Sequence, residues 1–395
     1  MASQKRPFAY DPCGLDEPNN TKRLKPDSKS PNQAVEDIMA AIYFDINCIC
    51  TFRDIVRSPL EAVDLTWYGV ECNKAGDFVK GAAAVMTSQV SPPAHTIDER
   101  IRDIVELAGW MIFAICVHSE AFRRSCLEVE PLVWELLVDS IWENESSIEV
   151  FARSRNLDWR GPLLTQSCHD LPDLHAALGP MQRISDEHQH HFVQTKDRGL
   201  RYPTFKGHIQ THIDHCIFDP SHWKPGRSDP TLRNPGDGTC HLCKVMWCDC
   251  VLASLAGNLV ELVEYENKGT GVRALANFKD GDILDQYVGE LRHRKYRGDS
   301  VYALEHPEHP QTSHLDKAVA VISPKRYGNW TRFVNHSCNP STRFVLRTVG
   351  KRTIMAIQAK RDISFGKEIT IDYGDGYWDE REKCQCGEVG CRSNM

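Results

Sequence analysis

Apolar positions in the first half of the chain recur at helical spacing. Thr96 begins the sequence Thr-Ile-Asp-Glu, and with Glu99 it forms a capping-box pattern that predicts a helix start. Apolar residues follow on one helical face, and a second stretch repeats the spacing; they are Ile101, Ile104, Val105, Ala108, Ile112 and Ile115, then Val133, Leu136, Leu137 and Ile141. These faces predict a small bundle from residue 34 to about 155.

Tryptophans in this half allow two interpretations. Trp110, Trp134 and Trp142 are expected to pack in the bundle core, and a ligand pocket is the alternative.

Residues 156–239 are richer in Pro, Gly, His and Asp and predict loops. We assign residues 34–199, which include the bundle and the first of these loops, to one mostly helical region. The sequence gives this region no function.

From Leu259 onward the pattern changes to short β-rich runs separated by Gly and Asp. The runs are LVELVEY, DILDQYVGEL, TIMAIQA and EITIDYG. They predict a compact all-β domain over residues 258–380. The predicted fold class is therefore α+β and multidomain, with a mostly α-helical N-terminal region followed by an all-β fold.

Composition narrows the function classes. A chain of 395 residues with 41% hydrophobic residues has room for two or three globular domains. The net charge of -7 argues against bulk binding to nucleic-acid phosphates and is compatible with a basic peptide substrate. Leu107 to Val117 is the longest apolar run, well short of the roughly 20 residues of a membrane span. We expect no membrane association.

Residues 1–33 are rich in Pro, Asn, Asp, Ser and Lys and predict a disordered tail. Its basic pairs, Lys5-Arg6 and Lys22-Arg23 with Lys25, fit either a two-part nuclear import signal or a solvated charged tail. The chain has sixteen cysteines, and its first residues lack the apolar segment of a signal peptide. A reducing compartment follows, in which clustered cysteines indicate metal more than disulfides.

Three motifs near the end of the chain carry the most specific signal. Residues 332–340 read RFVNHSCNP, residues 369–378 read ITIDYGDGYW, and residues 384–391 read CQCGEVGC. An Asn-His pair, an Asp-Tyr pair and a four-cysteine set in this order resemble the SET and post-SET segments of protein lysine methyltransferases. The resemblance covers about residues 258–395 and implies methyl transfer from S-adenosylmethionine to a protein lysine.

The resemblance implies a set of cofactor contacts. Lys268 to Arg273 is similar to the family's first cofactor loop, with Thr270 where the family often has Trp. The expected contacts are Lys268, Gly269, Thr270, Gly271, Arg332, Phe333, Asn335, His336, Tyr373 and Trp378.

Catalytic residues are implied in the same way. Tyr373 matches the tyrosine beside the transferring methyl, and Tyr287 and Tyr302 match tyrosines of the lysine channel. A free lysine has a pKa of about 10.4, which desolvation and a nearby cationic sulfonium should lower. The tyrosines would then aim the amine rather than act as bases.

The substrate channel is expected to include Ile371 and Tyr377. The family commonly has Phe or Tyr at the position of Ile371, so we expect a roomier channel that permits more than one methylation. Closure of that space by neighbouring side chains is the alternative.

Two cysteine sets predict Zn²⁺. Post-SET spacing implies a structural site in 381–395 that is completed by Cys338; its ligands are Cys338, Cys384, Cys386 and Cys391. Four thiols within 11 residues predict another site in a pre-SET-like segment, 200–257; they are Cys240, Cys243, Cys248 and Cys250. His208, His212 and His215 could join Cys216 in a further site, with ordinary surface histidines as the alternative.

The predicted substrate is a histone tail peptide or nucleosome, in the nucleus and on the chromosome. Tyr327 to Asn329, the GDGYW run and the CxCG tail favour H3 lysine-9-type enzymes. A histone H4 or non-histone lysine remains an alternative, as does a non-catalytic SET-shaped chromatin scaffold. The helical region could bind chromatin proteins. No sequence-specific nucleic-acid binding is expected.

Overall fold

A computed structural model describes residues 29–57, 66–164, 192–205, 207–252, 256–295, 302–307, 318–374, 377–378 and 383–394. The first half contains seven helices within this described part. Their bounds are Pro31–Arg57 (α1), Thr66–Thr87 (α2), Ile97–Cys116 (α3), Glu120–Glu128 (α4), Pro131–Glu143 (α5), Glu145–Ser154 (α6) and Arg160–Leu164 (α7). No helix in these ranges is long and apolar enough to cross a membrane.

Local sequence accounts for the helix starts. Thr96 caps α3 by accepting a hydrogen bond from the Glu99 backbone N–H, and the Glu99 carboxylate accepts one from the His95 N–H. Ser119 caps α4 in the same manner, through the Phe122 N–H. The predicted capping box is therefore confirmed, with the return bond made to His95 rather than to Thr96.

The remaining chain is built from short strands. Seventeen are described: Val193–Gln194 (β1), Leu200–Arg201 (β2), Thr204–Phe205 (β3), His208–Ile209 (β4), Thr211–His212 (β5), Ile217–Phe218 (β6), Val260–Tyr265 (β7), Gly269–Ala274 (β8), Ile283–Gln286 (β9), Glu290–His293 (β10), Leu304–His306 (β11), Ala320–Ser323 (β12), Tyr327–Gly328 (β13), Asn335–His336 (β14), Thr342–Val349 (β15), Arg352–Ala359 (β16) and Glu368–Ile371 (β17). The predicted helical and β-rich halves are confirmed.

Three main sheets organise these strands. Their orders are β14-β17-β8-β7-β1-β2, β11-β12-β10-β6 and β15-β16-β9, with two further strand pairs, β13-β5 and β3-β4. Strand β14 runs parallel to β17, with Asn335 opposite Thr370 and His336 opposite Ile371. This pairing brings the Asn-His motif beside the Asp-Tyr motif, although more than 30 residues separate them.

The helices and the largest sheet share one hydrophobic core. Tyr43 of α1 lies 5.7 Å from the Phe365 ring and donates a 2.6 Å hydrogen bond to Ser147 Oγ of α6. Ser147 Oγ in turn donates to Glu261 Oε2 of β7 at 2.7 Å. Glu261 is also ion-paired with Arg273 of β8. One carboxylate therefore joins the helical half to the strands that flank residue 268.

Some expectations require correction. Helix α1 begins at Pro31, inside the segment predicted as a tail, because its apolar face starts with Ala34 and Val35. The basic pairs of that tail lie outside the described residues. Trp110 and Trp134 are buried in the core as expected, whereas Trp142 is largely exposed and stacks on Arg198 at 4.1 Å.

Residues 156–239 are not loops alone. They contain α7 and six short strands, among which β1, β5 and β6 extend the sheets of the later chain. Two-residue strands have no periodicity that a sequence pattern could reveal.

Candidate functional site

Three tyrosines separate two cavities in the β-rich half. One cavity, of about 370 Å³, is lined by Asn267, Lys268, Asn335, His336, Trp378 and residues 383–386. The other, of about 480 Å³, is lined by Tyr287, Leu304, Glu305, Val334, Phe344 and Ile371 among others. Tyr302, Tyr373 and Tyr377 line both. These three residues, here called the tyrosine wall, are shared by the two cavities.

Tyr373 is fixed at both ends. Its hydroxyl donates a 2.9 Å hydrogen bond to the Val334 carbonyl, and its backbone N–H donates to His336 Nδ1 at 3.2 Å. Burial raises the pKa of Tyr373 well above its ordinary value, followed by the effects of Tyr302 and Tyr377. The phenol therefore stays protonated at neutral pH and acts as a positioned, neutral donor.

Tyr287 lines the larger cavity. Its hydroxyl donates to the Tyr302 carbonyl at 2.6 Å, and its ring meets Phe344 edge to face at 5.4 Å. Burial raises its pKa strongly, so this phenol is also neutral. The structure thus brings together all three tyrosines predicted for the site.

Asn335 and Lys268 both contact the carboxylate of Glu368, a residue that no sequence motif marks. Asn335 Nδ2 donates to Glu368 Oε1 at 3.0 Å, and Lys268 Nζ lies 2.8 Å from Glu368 Oε2. Glu368 sits on β17, and Lys268 on the turn before β8. The carboxylate therefore fixes both polar residues at the edge of the smaller cavity.

The predicted glycine loop is a strand edge that shapes this cavity without lining it. Gly269 has φ of +74°, a conformation that favours glycine, and begins β8. A Cβ on Gly271 would lie 2.5 Å from Asn335 Nδ2 and 2.6 Å from the Tyr265 ring. Thr270 Oγ1 instead accepts a hydrogen bond from Arg201. Gly271 is therefore required for close packing against Asn335.

Arg332 and Phe333 occupy different environments. The Arg332 guanidinium lies 5.2 Å from the Tyr302 ring and lines the larger cavity. Phe333 is buried in the main core. Neither residue lines the smaller cavity, although the family resemblance implies that both contact the cofactor.

An aromatic cluster covers the smaller cavity. Trp378 lies 4.7 Å from the His336 ring and 5.0 Å from the Tyr377 ring, and Tyr377 lies 4.6 Å from Tyr373. Arg392, one residue after the last cysteine, stacks on Trp378 at 5.3 Å. The C-terminal segment is thereby tied to the tyrosine wall.

Ile371 is nearly fully buried, with 2% of its surface exposed, and lines the larger cavity directly beside the wall. Its aliphatic side chain leaves no hydroxyl at this point. The larger cavity therefore has an aliphatic side chain at the position where the SET family commonly has Phe or Tyr.

The C-terminal thiols converge as expected. The Sγ atoms of Cys338, Cys384, Cys386 and Cys391 all lie within 4.8 Å of one another, and Cys338 Sγ is 3.7 Å from Cys384 Sγ. In a tetrahedral site with Zn–S bonds of about 2.3 Å, sulfurs lie about 3.8 Å apart. Four thiols at this spacing suit Zn²⁺, with no ligand position left open.

A second group of thiols has similar geometry. Cys240, Cys243, Cys248 and Cys250 also place their Sγ atoms within 4.8 Å of one another. The group holds the β15–β16 turn: the Gly350 N–H donates to Cys240 Sγ at 3.5 Å, and a Cβ on Gly350 would lie 2.0 Å from the Cys250 carbonyl oxygen.

The alternative site at His208, His212 and His215 is wrong for the described part of the chain. His208 and His212 lie in separate strands rather than on one helical face. His215 Nδ1 instead faces Gln286 Nε2 at 3.0 Å, and the Cys216 thiol faces the Tyr287 carbonyl at 3.9 Å. No metal-ligand group among the described residues includes them.

Comparisons with known proteins agree with this geometry. Residues 269–374 match the family model of the SET domain. An H3 lysine-36 specific histone-lysine N-methyltransferase of Cryptococcus neoformans is 36% identical over 215 residues, which are 50% of this chain and 24% of that protein. Histone-lysine N-methyltransferase ASHH3 of Arabidopsis thaliana is 30% identical over 139 residues, which are 34% of this chain and 38% of that protein.

Structural likeness is weaker. The crystal structure of Arabidopsis thaliana SUVH6 in complex with SAM aligns with a TM-score of 0.34 at 16% identity, over 50% of this chain and 51% of that one. The chain spans no more than 38% of the length of the two curated relatives described above. The chain therefore contains a SET domain homologous to those of histone-lysine methyltransferases.

Proposed function

We propose that this chain transfers methyl groups from S-adenosylmethionine to the side-chain amine of a histone lysine. The observation that carries the proposal is the tyrosine wall, whose three residues line both cavities. A methyl donor on one side and an amine on the other would face each other across Tyr302, Tyr373 and Tyr377.

The smaller cavity suits the cofactor. Its volume of about 370 Å³ is within the range of small-molecule sites, and it combines aromatic walls with a few polar groups. Lys268, Asn335, His336, Tyr373 and Trp378 would hold the cofactor, which supplies an activated methyl group on a cationic sulfur. Gly269, Thr270, Gly271, Arg332 and Phe333 would support the cavity walls rather than contact the cofactor.

The larger cavity suits a lysine side chain. Val334, Phe344 and Ile371 provide apolar walls that disfavour the ammonium form, and its acidic lining residue, Glu305, is exposed. A basic peptide can therefore meet Glu305 at the surface while its lysine enters an apolar channel. The amine loses its proton to solvent, because both Tyr287 and Tyr373 stay protonated and neither is a base.

Positioning would then supply much of the catalysis. Tyr373 is held by Val334 and His336, and the Tyr287 hydroxyl by the Tyr302 carbonyl, so both of these tyrosines have little freedom to rearrange. The neutral amine would be confined between these rings and aligned with the methyl group, which bound S-adenosylmethionine would supply with loss of its sulfur as a neutral thioether.

The names of the relatives support a choice of target lysine. Those described above carry histone-lysine names, one of them specific for H3 lysine 36, and they give no support to the H3 lysine-9 preference expected from the sequence. We place H3 lysine 36 first. A histone substrate would place the protein in the nucleus and on chromatin.

We include two structural Zn²⁺ sites, one on each group of four cysteines, in this proposal. Zn²⁺ on Cys338, Cys384, Cys386 and Cys391 would hold the C-terminal segment against Trp378. Zn²⁺ on the Cys240 group would hold the β15–β16 turn. Both roles are structural, because each ion would have four protein ligands.

A transfer assay tests the proposal. Purified chain would be incubated with labelled S-adenosylmethionine and core histones or nucleosomes, and the product analysed by mass spectrometry. We expect label on H3 that is lost when arginine replaces lysine 36 of the histone and kept when arginine replaces lysine 9. Label that follows lysine 9 would overturn the substrate assignment, and no label on any histone would overturn the proposed substrate class.

A further inference from the structure

The β15–β16 hairpin is a basic element in an acidic chain. Residues 338–361 contain six basic residues and neither Asp nor Glu; they are Arg343, Arg347, Lys351, Arg352, Lys360 and Arg361. The whole chain has a net charge of -7. Positive charge is therefore concentrated on this hairpin.

Two of these charges are compensated and two are not. Lys351 pairs with Asp249, and Arg352 with Asp229. Arg343 and Arg347 instead share one neutral acceptor, Gln358 Oε1, at 3.1 and 3.4 Å. Within the part of the chain that the structure describes, neither guanidinium has a carboxylate within 4.0 Å. Arg347 Nη1 also donates to the Leu346 carbonyl at 3.2 Å and its Nε is buried, so the exposed Arg343 is the more accessible of the two arginines.

The arginines face away from the catalytic cavity. Phe344 lines the larger cavity, and successive residues of a strand point to opposite faces. Arg343, before Phe344, is exposed, and Arg347 is half-buried on the same face. The basic face and the substrate cavity therefore lie on opposite sides of β15.

The Cys240 loop adds a third charge to this face. The His241 backbone N–H donates to the Thr348 carbonyl at 2.7 Å, which places the loop beside the end of β15. The exposed Lys244 donates from Nζ to the His241 carbonyl, so its charge stays beside this loop and near the end of β15.

We propose that Lys244, Arg343 and Arg347, here called the basic face, bind the phosphate backbone of duplex DNA without sequence preference. Guanidinium groups bind phosphate through paired hydrogen bonds. Duplex DNA carries one charge per about 1.7 Å, and the four residue steps from Arg343 to Arg347 span roughly 13 Å. The face can therefore contact several phosphates at once.

The inference rests on the proposed function, since a histone in chromatin is wrapped by DNA. The net charge of -7 argues against phosphate binding by the surface as a whole, so the proposed contact is confined to the basic face. The contact needs no sequence-specific readout, because phosphate contacts carry no base information. A basic histone tail would be repelled from this face, whereas Glu305 on the other side would attract it.

Binding of a labelled 30-base-pair duplex would be measured by fluorescence anisotropy from 50 to 200 mM salt. We expect Arg343→Gln with Arg347→Gln to weaken binding by about tenfold and to reduce the salt slope by about 1.8, the value for two lost phosphate contacts. A control pair, Lys196→Gln with Lys279→Gln, removes two exposed charges elsewhere and should leave both quantities unchanged. Arg343→Lys with Arg347→Lys should retain most of the binding.

Three results would overturn the inference. The first is a wild-type chain that does not bind duplex DNA, and the second is an Arg343→Gln, Arg347→Gln double variant that binds duplex DNA as tightly as the wild type does. The third is competition by poly-glutamate at the same charge concentration as DNA, which would assign the face to an acidic protein. DNA binding needs no methyl transfer, so failure of the proposed activity is read separately, from free H3 peptide.

Discussion

The hydroxyl of Tyr373 reaches the carbonyl of Val334, four residues before Cys338, and this 2.9 Å hydrogen bond links the Asp-Tyr motif to the Asn-His motif. The phenol is thereby aimed at the boundary between the two cavities. Its role in the proposed reaction is geometric, because its raised pKa keeps the proton in place.

Tyr373→Phe removes the phenol oxygen and keeps the ring. We expect methyl transfer to fall by about 10²–10³-fold, the usual cost of losing one preorganised donor in an active site. Calorimetric affinity for the cofactor should change by less than about threefold, because the ring contacts with Tyr377 and His336 remain. Tyr202→Phe, at an exposed tyrosine, is the control; equal activity in both variants would contradict the role given to Tyr373.

Ile371→Phe fills space in the larger cavity. The wild-type enzyme is expected to place more than one methyl group on its lysine, and the variant to accumulate monomethyl-lysine, because a methylated amine needs more room. Mass spectrometry of H3 peptides over time measures this ratio. A wild-type enzyme that stops at one methyl would refute the prediction.

Cys386→Ser tests the C-terminal thiol group. Wild-type chain is expected to contain two zinc ions, and the variant one, by elemental analysis. Transfer activity should fall at least about tenfold, because Arg392 and the segment under Trp378 lose their anchor. Helical circular dichroism should stay unchanged. Cys48→Ser, at a thiol in α1, is the matched control and should keep both zinc and activity.

Glu261→Gln tests the joint between the helical half and the sheet. The change leaves the Arg273 guanidinium without its carboxylate and weakens the Ser147 contact. We expect the free energy of unfolding to drop by about 2 kcal/mol, less than the 3–5 kcal/mol for a fully buried pair. Glu264→Gln, on the same strand and more exposed, should cost less than about 1 kcal/mol. Urea unfolding measures both.

We expect the free energy of unfolding to depend on pH through the buried carboxyl of Asp285. Burial raises its pKa to about 6, against the opposing hydrogen bonds from the Gln286 N–H and Trp330 Nε1. The fold therefore favours the protonated form, so this stabilisation is present below about pH 4 and is lost as pH rises through 6. Relative to Asp285→Asn, the wild type should lose about 2–3 kcal/mol between pH 4 and 7, since its pKa rises from 3.8 to about 6 and one pKa unit corresponds to about 1.4 kcal/mol.

Removal of the Trp330 Nε1 donor tests the direction of the Asp285 pKa shift. Trp330→Phe takes a hydrogen bond from the charged form of Asp285, so its pKa should rise further. Carbon-13 NMR titration of the Asp285 carboxyl would show this shift. A pKa that falls in the Trp330 variant would contradict the assignment.

The parts of the site that contiguous motifs encode could be predicted from the sequence. Asn335, His336 and Tyr373 lie where the motifs place them, and all eight predicted zinc-ligand cysteines form two groups. The cysteines of each contiguous segment are close in sequence and have few possible arrangements, whereas the roles of Cys338, Asn335, His336 and Tyr373 are expected only from the resemblance to SET domains.

Contacts between distant segments could not be predicted. Glu368 meets Asn335 across 33 residues and Lys268 across 100, and a lone glutamate on a strand has no pattern that marks it. The same holds for Glu261, whose partners lie on α6, β1 and β8. Periodicity shows that a helix has an apolar face, but it does not show which sheet covers that face.

The tyrosine wall has a consequence for the order of events in turnover. Among the described residues the two cavities share only these tyrosines, so under the proposed function spent cofactor could leave and a fresh molecule enter on one side while the peptide remains seated on the other. Successive methylations would then occur within one encounter with the histone, and the residence time of the peptide, rather than the number of collisions, would set the final methylation state.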